Sequence, residues 1–402
     1  MSQSLFAAVE LAPRDPILGL TEAFNADTRA GKVNLGVGVY YDDNGKIPLL
    51  GAVREAERVR LEGAPARGYL PIEGVAAYNT AVQQLLFGAG SALLAAGRVA
   101  TFEALGGTGG LKIGADFLRR LQPGARIWIS DPSWENHRAL FEAAGFAVNT
   151  YPYYNPQTHG VKFDELLACL QGLPANDIVV LHACCHNPTG VDLADDQWAR
   201  IVEVVRARGL IAFLDCAYQG FGDGIEADAT ALRRFADSGL SFFVSSSFSK
   251  SFSLYGERVG ALSVVTADRD ETARVTSQIK RVIRTNYSNP PTHGASVVAA
   301  VLSTPALRAQ WESELAGMRE RIRAMRTALV DKLRERGVTR DFSFVTRQRG
   351  MFSYSGLTSA QVDRLRNEFG IYAVSTGRIC LAALNSRNID AVADAIATVL
   401  KD

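Results

Sequence analysis

The sequence lacks a surplus of charge of either sign: 43 Lys and Arg stand against 42 Asp and Glu, a formal charge of +1. No electrostatic feature therefore points to nucleic acid or an anionic membrane as a partner. Long apolar runs are missing too. No uninterrupted stretch approaches the ~18 residues that a membrane helix needs. The first residues, MSQSLFAAVELAPRDP, have no basic start and break their short apolar stretch with Glu10, Pro13 and Arg14, so neither a secretion signal nor an anchor is expected there. Cysteine is scarce: five residues, two of them adjacent (Cys184, Cys185), with no CxxC. That pattern excludes a disulfide framework and leads us to expect a reducing cytoplasm. Internal repeats and low-complexity segments are absent as well.

What is present is ordinary globular usage, 47% hydrophobic and 21% charged, over 402 residues. A chain of that length exceeds what one core usually serves, which predicts two domains. From about residue 98 to 262 short apolar runs (ARIWIS, FAVNTYPY, DIVVLHA, LIAFLDCAY, LSFFVSSS) alternate with amphipathic stretches such as ENHRALFEAAG and DQWARIVEVVRARG. This alternation predicts βαβ units and a mostly parallel sheet, whose ligands gather beyond the carboxyl ends of the strands. Asp131, His182, Asp215 and the serines before Lys250 fall at or just after those ends.

Near residue 305 the pattern changes. Pro305 opens a segment in which Trp311, Leu315, Met318, Ile322, Met325 and Leu329 step by four and three until Gly337, which predicts one long amphipathic helix. An α+β tail follows: GMFSYSGL as strand, Thr358 and Gln361 as a capping box, IYAVSTGRICLAAL as further strand, and Asn388 capping the last helix. The N-terminal VNLGVGVYYDDNGKIPLL, with a hairpin turn expected at Asn44-Gly45, is expected to join this smaller domain.

Three features carry chemistry. Gly106, Gly107, Thr108, Gly109 and Gly110 lead into a helical pattern, offering free N–H groups and a positive dipole end to a phosphate, though the run is neither a P-loop nor GxGxxG; a turn made for packing is the alternative. Asp215 ends an apolar run, where a carboxylate needs a cation or full hydrogen bonding; a cap or a structural ion pair would also account for it. Lys250, in SSSFSKSFSLYGERVG, sits among serines and aromatics with no carboxylate until Glu257. Such a lysine is either a solvated surface group or an amine whose pKa is lowered toward Schiff-base chemistry. Arg258 with Ser247 and Ser249 would suit a phosphate beside it. An aldehyde for the lysine, a phosphate for the glycines and arginine, and a ring cation for the aspartate together specify pyridoxal 5'-phosphate. His182, Cys184, Cys185 and His186 raise a metal site as an alternative. No metal is expected, because neighbours on an extended chain face opposite ways and a structural zinc uses separated ligand pairs.

The motifs GYLPIEG, CCHNPTG, LDCAYQGF, SFSKSFSLYGERVG, RTNYSNPP and TGRICLA resemble those of class I aminotransferases of the aspartate and aromatic subgroup. DPSWENH, QRGMFSYSGL and AQVDRLRNEFG are most similar to the bacterial tyrosine (aromatic amino acid) enzymes, and the resemblance runs from about residue 5 to the C-terminus. It implies the fold type I of pyridoxal-phosphate-dependent transferases: a large α/β domain (residues 47–317) around a mostly parallel seven-stranded sheet, a smaller α+β domain (14–46 with 318–402), and an N-terminal arm (1–13). It implies that Lys250 holds the cofactor covalently, that Asp215 pairs with its ring nitrogen, and that Tyr218 and Asn187 bond its ring hydroxyl. Gly107, Thr108, Ser247, Ser249 and Arg258 would cradle the phosphate, and Trp134 would stack on the ring. Tyr69 would reach the phosphate from the neighbouring subunit, so the active sites of a homodimer would be shared. Arg378 would hold the substrate's α-carboxylate, Arg284 a side-chain carboxylate across the dimer, and Gly38 would line the substrate pocket with Trp134 and Asn187. His137 and His182 would lie near the cofactor without touching it. The implied activity is amino-group exchange between tyrosine, phenylalanine or aspartate and 2-oxoglutarate. The alternatives are an aspartate-selective enzyme, a decarboxylase or lyase of the same fold, or a non-enzymatic sensor; intact Lys250 and Asp215 weigh against the last.

Overall fold

The computed structural model describes residues 4–12 and 17–401; the expected boundary between arm and small domain, at residues 13 and 14, lies outside them. Seven strands form the central sheet: β1 (Val99–Leu105), β2 (Ile127–Asp131), β3 (Val148–Pro152), β4 (Ile178–His182), β5 (Ile211–Cys216), β6 (Phe242–Ser247) and β7 (Val259–Val265). Their spatial order is β1-β7-β6-β5-β4-β2-β3. Strand β7 runs antiparallel to both neighbours and every other pair is parallel. The alternation in the sequence is thus the alternation in space, and the carboxyl ends of six strands share one edge.

A sheet of this kind is covered on both faces, and the strand residues divide accordingly. Ile178, Val180 and Phe213 enter one apolar cluster, while Val179, Leu181, Ala212 and Leu214 enter the other. Helix α1 (Gly106–Leu121) follows β1 directly and buries Leu111, Ile113, Phe117 and Leu118 against the first cluster. Arg119 and Arg120 end it, opposite in sign to the helix dipole. At Gly110 a Cβ would come within 2.7 Å of Ser245 Oγ and 2.8 Å of Ala261 O, so only glycine lets α1 lie this close to β6 and β7. The glycine run, expected as a loop opening a helix, is itself the first turn of α1, with Gly106 at φ 69°.

Helix α2 spans Glu135–Ala143 and α3 spans Arg269–Asn286. The long helix expected from Pro305 is α4 (Pro305–Glu335), followed by Gly337 at φ 74°. It buries Trp311, Leu315, Met318, Ile322 and Leu329 as its spacing requires, and it also buries Arg326. That arginine donates to the carbonyls of Val345 (3.0 Å), Gly350 (2.8 Å) and Phe352 (2.6 Å). Burial among neutral acceptors pulls its pKa down to about 10. The contact ties the strand Phe352–Tyr354 to α4.

The remaining strands are short. Val33–Asn34 pairs with Ile371–Tyr372, and Phe352–Tyr354 pairs with Arg378–Cys380. The expected strand over IYAVSTGRICLAAL is therefore two pieces. At Asn44-Gly45 the chain does turn, with Gly45 at φ 71° and Asp42 Oδ1 accepting from Asn44 and Lys46, but no strand ladder flanks it. Thr358 and Gln361 form the capping box. Asn388 stands at the N-cap of Ile389–Val399 without capping it, because its side chain is engaged with Ala383 O and Asn385 N instead.

Candidate active site

Beyond the shared strand edge lies a cavity of about 460 Å³, within the rough range of 300–1,000 Å³ for small-molecule sites. Asp215 reaches it from the end of β5, in register with His182 on β4 and Ser245 on β6. A buried carboxylate would ordinarily be pushed toward its neutral form. Burial does oppose ionisation here, but the hydrogen bond donated by His137 Nε2 (2.8 Å), with Lys250 nearby, outweighs it, holding Asp215 below the usual carboxylate range. A string of polar groups continues behind it: His137 Nδ1 to Ser133 Oγ at 2.9 Å, and Ser133 Oγ to His182 Nε2 at 3.2 Å. Burial and the neighbouring His137 bring His182 down to about 3.

Lys250 follows β6 on a turn whose shape is set elsewhere. Trp311 of α4 donates from Nε1 to Ser251 O (2.7 Å) and stacks on Phe252, which fixes the backbone just past the lysine. The ammonium lies 4.7 Å from the centre of the Tyr218 ring. Burial lowers its pKa to about 8; Asp215 opposes the shift and Arg258 adds to it. Arg258 occupies the left-handed region at φ 56° and donates to Ser249 Oγ (3.3 Å) and Tyr255 O (2.8 Å). Its guanidinium, the hydroxyls of Ser247 and Ser249, and Gly107 and Thr108 at the start of α1 line the same part of the cavity.

On the other side stands Arg378, 1% exposed. Its guanidinium lies 4.3 Å from the Phe352 ring centre and donates to Asn187 Oδ1 (3.0 Å) and Gly36 O (2.7 Å). Trp134, Tyr218, Asn187, Gly38 and His182 complete the lining named from the sequence. His137 lies behind it, fully buried. Two residues are not brought in. Tyr69 is 96% exposed in the 68–75 loop, and Arg284 is exposed on α3, where it donates to Ser288 Oγ. Sequence reasoning missed Phe352, Tyr255, Cys184, Val37 and Ile17, which also line the cavity.

The adjacent cysteines depart from expectation in their geometry. Cys185 has φ 51°, so the chain is not extended there, and both thiols lie within 4.8 Å of each other and of an Asp228 carboxylate oxygen. Asp228 already accepts the N–H groups of Gly220, Gly222 and Asp223, and His186 spends its ring nitrogens on Ser130 and Thr189.

The family model of class I and II aminotransferases matches residues 30–396. The chain belongs to that family. Among its curated relatives, the aspartate aminotransferase of Pseudomonas aeruginosa is 69% identical over 99% of this chain and the whole of that protein. The aromatic-amino-acid aminotransferase of Escherichia coli is 54% identical over 98% of this chain and the whole of that protein. Among solved structures, the Burkholderia pseudomallei aromatic-amino-acid aminotransferase, covalently bound to pyridoxal phosphate, superimposes with a TM-score of 0.97 at 71% identity, covering 99% of this chain and all of that one. An aminotransferase exchanges amino groups between amino acids and 2-oxo acids, and the fold found here, α/β with a large and mostly parallel sheet, is the fold of these relatives.

Proposed function

We propose that the protein is a pyridoxal-phosphate-dependent aminotransferase acting on aromatic amino acids and aspartate with 2-oxoglutarate as the acceptor. One observation carries this reading: a single cavity lined by an amine of lowered pKa, an ionised buried carboxylate, an arginine-serine-glycine cradle and a buried second arginine. Those residues fit the cofactor. Lys250 suits its aldehyde, Asp215 its ring nitrogen, Tyr218 and Asn187 its ring hydroxyl, and Trp134 its face. Arg258, Ser247, Ser249, Gly107 and Thr108 suit its phosphate. When bound, the group supplies a carbonyl for the substrate amine and an electron sink for the Cα–H bond.

The chain's own residues do the rest. Arg378 orients the substrate through its α-carboxylate, its planar fork already aimed by Asn187 and Gly36. Asp215, kept ionised by the His137 hydrogen bond, would hold the cofactor's ring nitrogen protonated. With an amino acid in the cavity, Lys250 Nζ would be the base that takes the Cα proton. Phe352 and Trp134 give apolar walls that a phenyl ring can use. Addition of glutamate to the loaded protein should move its visible absorption band, and the band should return with 2-oxoglutarate. A band that ignores both would remove the aminotransferase reading.

The protein acts as a homodimer with shared sites: Tyr69 and Arg284, exposed on the single chain, serve the partner's cavity at the phosphate and at a side-chain carboxylate. Arg284→Leu should therefore cut kcat/KM for aspartate and glutamate by about 2–5 kcal/mol, the cost of losing one member of a desolvated charge pair. Phenylalanine should be nearly unaffected, and Arg378→Leu should harm every substrate. Hybrids of Arg284→Leu with Lys250→Ala chains should regain aspartate turnover in one of their two sites. Equal damage to aspartate and phenylalanine, or silent hybrids, would leave Arg284 a structural residue. We further assign residues 47–317 to a large domain and 14–46 with 318–402 to a small one, following a 1–13 arm. The central sheet lies wholly within the first range, and the pairs Val33–Asn34 with Ile371–Tyr372 and Phe352–Tyr354 with Arg378–Cys380 lie within the second. No helix among the described residues is long and apolar enough to cross a membrane, and with all five thiols free we assign the protein to the cytoplasm.

A further inference from the structure

Arg378 has a neighbour that its proposed role does not use. Glu135 opens α2 immediately after Trp134, and its Oε2 lies 3.8 Å from Arg378 Nη1. That is too long for a hydrogen bond yet well inside the range of a charge pair. The oxygen is buried and has no hydrogen-bond donor, and Arg378 Nε is likewise buried without an acceptor. Among the described residues Glu135 is the one carboxylate paired with this guanidinium. Its side chain is 30% exposed, against 1% for the arginine, so the two approach from the rim and from the interior.

We propose that Glu135 is a built-in counter-ion of Arg378 that competes with the substrate's carboxylate and so limits how tightly any carboxylate is held. The proposal rests on the reading of Arg378 as the α-carboxylate anchor. In the empty site a buried guanidinium satisfied only by neutral acceptors is costly, and a nearby negative charge offsets part of that cost. When a substrate arrives, its carboxylate takes the fork and lies close to Glu135, where like charges repel. The gain from binding is reduced equally for every substrate, because each brings the same α-carboxylate. Release of product, which carries that carboxylate too, is eased by the same amount. Glu135 is thus a positioning residue that tunes affinity without selecting among side chains.

The test uses the loaded enzyme and 3-phenylpropanoate, an unreactive acid with one carboxylate and therefore no call on Arg284. Calorimetry at low salt should give Glu135→Gln a dissociation constant lower by roughly three- to ten-fold, and the gain should shrink as salt is added. KM for aspartate, glutamate and phenylalanine should fall by a common factor, with kcat falling or changing less. Glu135→Ala should tighten binding as well, which guards against a glutamine that merely bonds Arg378. Unchanged or weaker binding in both variants would overturn the proposal, since a residue serving only α2 would lower thermal stability without tightening the acid. Arg378→Leu is the companion measurement. If it leaves binding of the acid intact, the anchor reading fails. If it abolishes binding while the Glu135 variants match the wild type, only the counter-ion fails.

Discussion

Lys250→Ala is expected to lose more than ~10⁴-fold in turnover while still taking up pyridoxal phosphate without a covalent bond. The size follows from two duties in one side chain. As a nucleophile the lysine must be neutral part of the time; at a pKa of about 8 about a tenth of it is neutral at pH 7, against less than about a thousandth of an ordinary lysine. As a proton carrier it must stay beside the substrate's Cα after release, and the backbone fixed by Trp311 and Phe252 keeps it there. No other lysine lines the cavity among the described residues, so nothing replaces either duty. Borohydride reduction of the wild-type protein followed by peptide mapping should mark Lys250. A mark on any other lysine, or a variant that still turns over within a factor of ten, would defeat the assignment.

Asp215→Ala should cost on the order of 10²–10³-fold in the half-reaction, the usual range for removing one aligned electrostatic partner from a dry site. Cofactor uptake should survive, because the phosphate cradle and Lys250 are on other elements. The deficit should appear in single-turnover loss of the Cα proton and should carry a substrate deuterium isotope effect. Half-reaction rates close to the wild type would show that the ring nitrogen needs no anionic partner here.

Most of the architecture was legible because it depends on pattern. The alternation of β-branched runs with amphipathic segments marks strands and covering helices, and apolar spacing fixes α4 to within a few residues. The site was legible where its residues are strand ends, since a polar group just past an apolar run can only sit at the sheet edge; Asp215, His182 and Lys250 are of this kind. What escaped notice depends on distant packing. Phe352 meets Arg378 because its strand pairs with Arg378–Cys380 and Arg326 of α4 holds the Phe352 carbonyl, and no local pattern announces either that pairing or a buried arginine in an apolar stripe. Glu135 was not singled out within the amphipathic stretch ENHRALFEAAG. Asn388 read as a cap, but a tertiary contact claimed its side chain. Cys185 escaped because a left-handed residue other than glycine leaves no trace in composition. Tyr69 and Arg284 were named through family motifs alone, and in the single chain neither lines the cavity.

The string of groups behind Asp215 has a direction as well as a length. An ionised carboxylate can only accept, so the hydrogen between it and His137 belongs to His137 Nε2. Whenever that imidazole is in its neutral form, its Nδ1 accepts, so Ser133 turns its hydroxyl hydrogen toward His137 and offers its lone pair to His182. His182, uncharged at any ordinary pH, then carries its hydrogen on Nε2. All three hydrogens then point the same way, toward Asp215. In their neutral forms both imidazoles are therefore held to one tautomer, and the row of aligned dipoles ends on Asp215, where it stabilises the carboxylate's charge.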